Sequence, residues 1–440
     1  MENPGSRQTR LRNGAVTYWH KGWAWLIAPL LVGLVAVGLA YGSEEATRLN
    51  RALWSAYPYL PLLLMPAAFA ALAWICRNWF PGAQGSGIPQ AIAAMEVHDC
   101  IQPSSLLSLR IAFGKVLLTI GGLAAGASIG REGPTVQIGA SIMHAFRGRG
   151  PLNGEQQRRT LILAGGAAGI AAAFNTPLAG IMFAIEELSS QHVFKANSST
   201  LITVVLSGLV SLSLLGNYTY FGTTATTLDW QSGALAIVVC GIAGGLGGGL
   251  FSRLMIRSSA GLPGRAGRFV RSRPYAWAAS CGLGVALLGV ATDGLVFGTG
   301  YEPTRMTLEQ SGALPWYFGA AKFLATLMSS AAGIPGGIFA PSLAVGAGIG
   351  DNVAALLPAL APHSAMVLLV MAAYLAGVTR APLTSFIIMM EMTDSHHMLM
   401  PLMATALIAS AASKAVCRTP LYHTLAQGML PADTDAVRRH

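Results

Sequence analysis

The stretch Gly130-Arg131-Glu132-Gly133-Pro134 sets an acid and a base side by side inside a run that is otherwise almost uncharged. Gly121-Gly122-Leu123-Ala124-Ala125-Gly126 precedes it, and Thr135-Val136-Gln137-Ile138-Gly139-Ala140-Ser141-Ile142-Met143 follows. Proline suits the start of a helix, where its missing N–H is no loss. The expectation is a helix beginning at Pro134 and capped by Gly133. Glu132 is then left on irregular backbone at the positive end of the helix dipole. Irregular backbone at membrane depth is tolerated only where protein or a water-filled cavity surrounds it. A carboxylate on such a break marks an ion or proton pathway.

Composition supplies the surroundings. Of 440 residues 10% are charged, 53% are apolar and 52 are glycine, whereas soluble domains carry about 25% charged residues. The chain is therefore expected to be an all-α polytopic membrane protein. Its net charge of +10 sits mostly in tails and short loops, so it speaks to orientation in a membrane and not to nucleic acid. Residues 1–22, with Arg7, Arg10, Arg12 and Lys21, are too long and too polar for a cleaved signal and are expected to form a cytoplasmic tail. Cys76, Cys100, Cys240, Cys281 and Cys417 lack metal-like or redox spacing, so no disulfide, metal or cofactor is expected.

Trp23 to Tyr41 and Tyr57 to Cys76 are clear spans, joined by a charge-balanced stretch with Glu44, Glu45, Arg48 and Arg51 that is expected to be an external loop. Gly85-Ser86-Gly87-Ile88-Pro89 is a second break in the apolar pattern, followed by a solvated stretch with Glu96, His98 and Asp99. Leu106 to Ala127 has no charge except Arg110 and Lys115. The segment from His144 to Arg159 holds Arg147, Arg149, Arg158 and Arg159 against one acid, Glu155, and is expected to be a cytoplasmic loop. A Gly/Ala-rich span from Thr160 to Phe174 leads to a helix starting at Pro177-Leu178 and ending on Glu186-Glu187. The polar run Ser189-Ser190-Gln191-His192 and Lys195 is expected to keep that end wet. Val204–Leu215 and Ala234–Phe251 are further spans, the second with Gly241, Gly245 and Gly249 spaced for helix–helix packing. Arg253, Arg257, Arg265, Arg268, Arg271 and Arg273 follow with no acid among them, again a cytoplasmic loop. His396 and His397 fall in a solvated outer loop, and residues 426–440 in a short cytoplasmic tail.

The second half copies the first. Lys115, Gly130, Pro134, Gly139 and Ala140 recur 207 residues later as Lys322, Gly337, Pro341, Gly346 and Ala347. Pro177, Leu178 and Glu186 recur 205 residues later as Pro382, Leu383 and Glu391. Charge inverts the copies: the basic 147–159 segment corresponds to 350–363, which has Asp351 and no Lys or Arg. The expected units are a first repeat over 23–228 and a second, inverted repeat over 229–425. Inverted repeats of broken, re-entrant helices place a binding site near the bilayer midplane with helix N-termini aimed at an anion. The helices after Gly130 and Gly337 should thus converge on one anion.

At this point the residues resemble the CLC family of chloride channels and chloride/proton antiporters, in its prokaryotic form. Gly85-Ser86-Gly87-Ile88-Pro89, Gly130-Arg131-Glu132-Gly133-Pro134 and Gly337-Ile338-Phe339-Ala340-Pro341 look like its three anion-site signatures, and Pro420-Leu421-Tyr422 like the segment supplying its inner tyrosine. The resemblance spans roughly residues 20 to 425. It implies that the Ser86 and Tyr422 hydroxyls and the Ile338 and Phe339 backbone N–H groups bind a central anion. It implies that Glu132 is the gating glutamate and Glu187 the inner glutamate that takes protons from the cytoplasm. Channel members generally lack the inner glutamate, so exchange of chloride for protons is favoured over a passive channel. The resemblance further implies a homodimer with one pathway per subunit; a bacterial inner membrane with both termini cytoplasmic is expected, and with 18 residues after Tyr422 no soluble C-terminal regulatory domain is expected. Hydroxyls and amides suit such a task, since a full positive charge would hold the anion too tightly to release.

Other readings stand beside these. Ser86 as a plain helix cap is one. Lys115 and Lys322 need buried partners, and none is evident in the sequence. Glu186 and Glu391 share repeat positions, which favours structural work at helix ends, whereas Met392 faces Glu187 across the repeat. Tyr422 alone would be an ordinary interfacial aromatic. Gly126-Ala127-Ser128-Ile129-Gly130 matches the G-x-S-x-G pattern of serine hydrolases, but that pattern needs a strand-to-helix elbow and a placed histidine and acid.

Overall fold

A computed structural model describes residues 4–96, 105–147, 154–189, 198–216, 219–224, 226–261, 263–310 and 314–430. His98, Asp99, Arg149, Lys195, Ser190-Gln191-His192 and the tail from residue 431 lie outside the described residues. Helices make up the architecture. The first half contains α1 (Pro4–Ala56), α2 (Pro61–Trp79), α3 (Ile88–Glu96), α4 (Leu109–Ala124), α5 (Glu132–His144), α6 (Glu155–Phe174), α7 (Pro177–Phe183) and α8 (Ser198–Leu215). The second contains α9 (Trp230–Ser259), α10 (Gly264–Ser272), α11 (Pro274–Ala291), α12 (Tyr301–Glu309), α13 (Phe318–Ala331), α14 (Phe339–Leu356), α15 (His363–Thr379), α16 (Pro382–Thr393), α17 (Leu399–Val416) and α18 (Leu421–Gln427). Among the described residues, six helices are long and apolar enough to cross a membrane.

Proline and left-handed residues cut the helices where the repeat says they should be cut. α6 ends on Asn175 (φ 58°) and α15 on Arg380 (φ 67°), residues related by the same 205-residue step. In each case a non-helical residue and then a proline follow, Thr176-Pro177 opening α7 and Ala381-Pro382 opening α16. The halves pack in matching pairs: α1 on α8 and α9 on α17, α5 on α6 and α14 on α15. Between halves, α2 meets α11 and α7 meets α16. α15 is buried along almost its whole length, from Ala365 to Thr379, as befits a helix apolar on every side. Small residues permit the close pairs. A methyl on Gly245 would sit 2.7 Å from the Ala409 Cα of α17, and one on Gly249 would sit 3.0 Å from the Ser413 Cα, so the glycine spacing of α9 is indeed a packing face.

Three local expectations change. Glu44 to Arg51 is helical, the last part of α1, and not a loop. Opposite charges four apart, as in Arg48–Glu44 at 2.7 Å, suit an exposed helix turn. Arg158 is not in a loop but inside α6 and fully buried, donating to the Ala94 carbonyl at the end of α3 and pairing with Glu155 at 2.9 Å. Of the expected arginine loop, Arg253 and Arg257 are still inside α9, and Arg265, Arg268 and Arg271 belong to the short helix α10. The expected outer loop at His396 and His397 is a single exposed turn, with His396 3.2 Å from Asp394.

Candidate functional site: where two helix starts meet

The site forms where the repeats touch. Gly130 N–H donates to Gly337 O at 2.7 Å, and Gly337 N–H donates to Gly130 O at 2.8 Å. Repeat-equivalent glycines thus pair about a pseudo-twofold axis. Gly85 joins the same knot, donating to Ile334 O at 3.2 Å and accepting from Gly336 N–H at 3.1 Å. Both residues of the Gly130–Gly337 pair lack a Cβ for a steric reason. A Cβ on Gly130 would run into the Glu132 carboxyl and lie 3.2 Å from Pro341 Cδ, and one on Gly337 would lie 2.9 Å from Gly133 N. α5 and α14 start just beyond this pair.

Both helices begin two residues before their prolines, at Glu132 and at Phe339. Glu132 is therefore the first helical residue and not part of an irregular stretch. Proline is tolerated inside the first turn because the first four N–H groups have no intrahelical partner. The same register leaves the Ile338 and Phe339 amides among the unpaired donors of α14. The Glu132 side chain is fully buried. The nearest donors to its carboxylate are the backbone amides of its own helix start and of Ala340 in α14, and neither oxygen completes a hydrogen bond of normal geometry. A carboxylate set between two helix N-termini occupies the place an anion would take.

Ser86 and Tyr422 arrive from two other elements. Ser86 lies in the turn before α3, and Gly133 must stay bare because a methyl there would strike Ser86 Oγ. Tyr422 is fully buried in the first turn of α18, its ring stacked on Phe339 at 6.2 Å between centroids and 11° between planes. The Tyr422 hydroxyl is turned toward Ser86, and both carboxylates, Glu187 and Glu132, lie near enough to act on it electrostatically. Neither hydroxyl completes a hydrogen bond. Ser86 is thus no helix cap. Hydroxyls brought together in this way are donors that an anion can use.

Glu187 is buried with Oε1 unpartnered. α7 runs into a π-helical turn, Ala184–Leu188, which the sequence did not announce. The wider turn parts the two neighbouring acids, and such turns are frequent at functional sites. Glu186 crosses to the other repeat, accepting from Leu383 N–H at 3.1 Å, Thr384 N–H at 2.7 Å and Thr384 Oγ1 at 2.9 Å. Glu391 returns the favour, accepting from Leu178 N–H at 3.2 Å and Ala179 N–H at 2.8 Å. Each acid caps the partner helix, which is the structural role their repeat positions favoured. His423, beside Tyr422, meets the Glu187 backbone and lies near Glu96.

The lysines find their partners in carbonyls. Lys115 Nζ donates to Ala83 O at 2.9 Å and Gly85 O at 2.7 Å, bracing the Ser86 turn from below. Lys322 Nζ donates to Val296 O and Gly298 O, both at 2.8 Å. A cavity of about 490 Å³ lies on the Glu132 side, lined among others by Arg131, Arg48, Arg51 and Glu302. Arg131 sits over the Tyr220 ring, 5.7 Å from its centroid. Ser128 of the hydrolase-like pattern has its hydroxyl paired with Thr326 Oγ1 at 2.9 Å and its N–H donated to Ser329 Oγ at 3.0 Å.

The family model described as voltage gated chloride channel matches residues 67–414. The H(+)/Cl(-) exchange transporter ClcA of Citrobacter koseri is 31% identical over 385 residues, covering 83% of this chain and 78% of that protein. The crystal structure of a slow cyanobacterial Cl-/H+ antiporter aligns with a TM-score of 0.78 at 25% identity, over 93% of this chain and 98% of the other. That of a CLC-type fluoride/proton antiporter aligns with a TM-score of 0.76 at 22% identity, over 90% and 97% of the two chains, a likeness of fold. A membrane-embedded, all-helical chain with two inverted repeats, carrying these signatures in this order, belongs to the CLC family of voltage gated chloride channels and transporters.

Proposed function

We propose that the protein exchanges chloride for protons across the membrane, with Glu132 as outer gate and Glu187 as inner proton acceptor. The observation that carries this reading is the Glu132 carboxylate lying between the starts of α5 and α14, the place suited to an anion. A bound anion and an ionised Glu132 compete for one set of amides. Protonation removes the carboxylate's charge and weakens its hold there, so an anion enters as a proton arrives. The anion then passes to the Ser86 and Tyr422 hydroxyls and the Ile338 and Phe339 amides, where no full positive charge traps it. Protons leave by a separate branch through Glu187. In this reading the protein is a homodimer with one pathway per subunit, in a bacterial inner membrane with both termini cytoplasmic.

The test is purified protein in liposomes with an imposed chloride gradient, voltage clamped by ionophore, and external pH recorded. Wild type should move protons against their gradient. Glu132→Gln, which keeps the shape of the protonated side chain, should pass chloride and leave pH unchanged. A wild type that passes chloride without moving protons is a passive channel, and the exchange reading ends there.

A further inference from the structure

A second basic cleft lies away from the proposed pathway. α9 and α17 are held in close contact by the glycine face of α9, and at one end they open into a cleft of about 470 Å³. Arg253, Arg257 and Arg418 line it together with Ile256, Val416 and Cys417, and no carboxylate is among the lining residues. Arg253 and Arg257 stand one helical turn apart on the same face of α9, both exposed. Arg418 comes from the link that follows α17. That link is tied down from behind, because Arg380 Nη2 donates to the Cys417 carbonyl.

Charge decides what the cleft can hold. The C-termini of α9 and α17 each bring about −0.5 of a charge to this end, against three guanidinium groups, leaving roughly +2 uncompensated. Guanidinium pairs match the geometry of phosphate oxygens through two parallel hydrogen bonds. The surface beside the cleft decides the source of the phosphate. Leu235, Val238, Ile242, Leu246 and Leu250 are exposed at steps of three or four residues along α9. The stripe runs directly into Arg253 and Arg257. It belongs to one of the helices long and apolar enough to cross a membrane. A free phosphate would use the arginines and ignore the stripe. A phospholipid uses both.

We propose that this cleft binds the headgroup phosphate of an anionic phospholipid, its acyl chains lying along the exposed apolar stripe of α9. The basic residues of α10 follow on the same side, which places the cleft at the face read as cytoplasmic, where anionic lipids attract basic groups. The inference is independent of the exchange reading and stands whether or not protons are moved.

The experiment is native mass spectrometry of the full chain released from mixed micelles. These contain phosphatidylcholine with either phosphatidylglycerol or cardiolipin. Wild type should retain anionic lipid in preference to phosphatidylcholine. Retention should fall by roughly fivefold for each arginine replaced in Arg253→Gln, Arg257→Gln and Arg418→Gln. A matched variant, Arg268→Gln with Arg271→Gln on α10, removes nearby charge without touching the cleft and should retain lipid as wild type does. Chloride efflux from liposomes verifies that each variant is folded. Equal loss in the α10 variant would mean diffuse surface attraction and would overturn the site. Displacement of the lipid by millimolar inorganic phosphate would reassign the cleft to free oxyanions and overturn the lipid.

Discussion

The two buried lysines show how one residue type serves two repeats with different consequences. Lys115 and Lys322 make the same pair of bonds to carbonyls of the preceding turn. Only Lys115 braces the turn that carries Ser86. Removing the Lys322 ammonium strands two carbonyls and removing that of Lys115 strands one, since Gly85 O keeps the Gly336 N–H, at about 1–3 kcal/mol for each buried group left unpaired. The loss is partly offset because the desolvated charge disappears with it. Lys115→Met and Lys322→Met should therefore both destabilise modestly, Lys322→Met the more. Chloride binding should separate them. Lys115→Met frees the Ser86 turn and should weaken chloride binding roughly tenfold, equivalent to about 1.4 kcal/mol. Lys322→Met should leave it within error of wild type, as read by titration calorimetry in detergent. Equal affinities in the two variants would deny Lys115 any hold on the anion site.

At the scale of elements, α7 and α16 exchange caps. Neither helix start has a capping side chain of its own at Thr176 or Ala381. The carboxylates arrive instead from the far ends of the opposite helices, Glu186 to α16 and Glu391 to α7. The arrangement neutralises two helix N-termini with two acids and locks the repeats together. Such a cap is worth about 0.5–2 kcal/mol. Glu391→Gln offers one oxygen where two had accepted and turns an amide N–H₂ toward backbone donors. It should lower stability by about 1–2 kcal/mol, measured as a lower thermal midpoint in detergent. The chloride-to-proton ratio should not change, because the Glu391 carboxylate is engaged by the α7 amides and not by the proposed anion site. A changed ratio with an unchanged midpoint would make Glu391 a transport residue.

Across the whole molecule the repeats are symmetric in framework and asymmetric in chemistry. The framework recurs in the Gly130–Gly337 pair, the two lysines, the two exchanged caps and the two αL-to-proline breaks. The working groups do not. Phe339 stands at the repeat position of Glu132, and Met392 at that of Glu187. Symmetry builds the meeting point of helix starts, and in the proposed mechanism single residues give the pathway its direction. Glu187→Gln removes titration while keeping size and hydrogen bonding. Proton flux should drop by roughly a hundredfold or more, the usual contribution of a positioned proton-transfer group. Chloride flux should continue. Proton flux that survives in this variant would put the inner acceptor elsewhere, with His423 and Glu96 the next groups to replace.

The sequence by itself determined the class of the protein and its inverted repeat, and it named the residues proposed here to hold an anion. Those features rest on local chemistry: too few charges for a soluble chain, prolines and glycines that break helices wherever they stand, and lysines and glutamates recurring at one step. Where a break becomes a helix was less legible, since α5 and α14 take up two residues before their prolines and α1 continues through Glu44 to Arg51. Only the tertiary structure decided who pairs with whom. The carbonyls that satisfy Lys115, the helices that Glu186 and Glu391 cap, the burial of Arg158 under α3 and the seat of Glu132 between two helix starts all join segments far apart in the chain. A buried polar group must find its partner wherever packing brings one, and spacing along the chain carries no record of that.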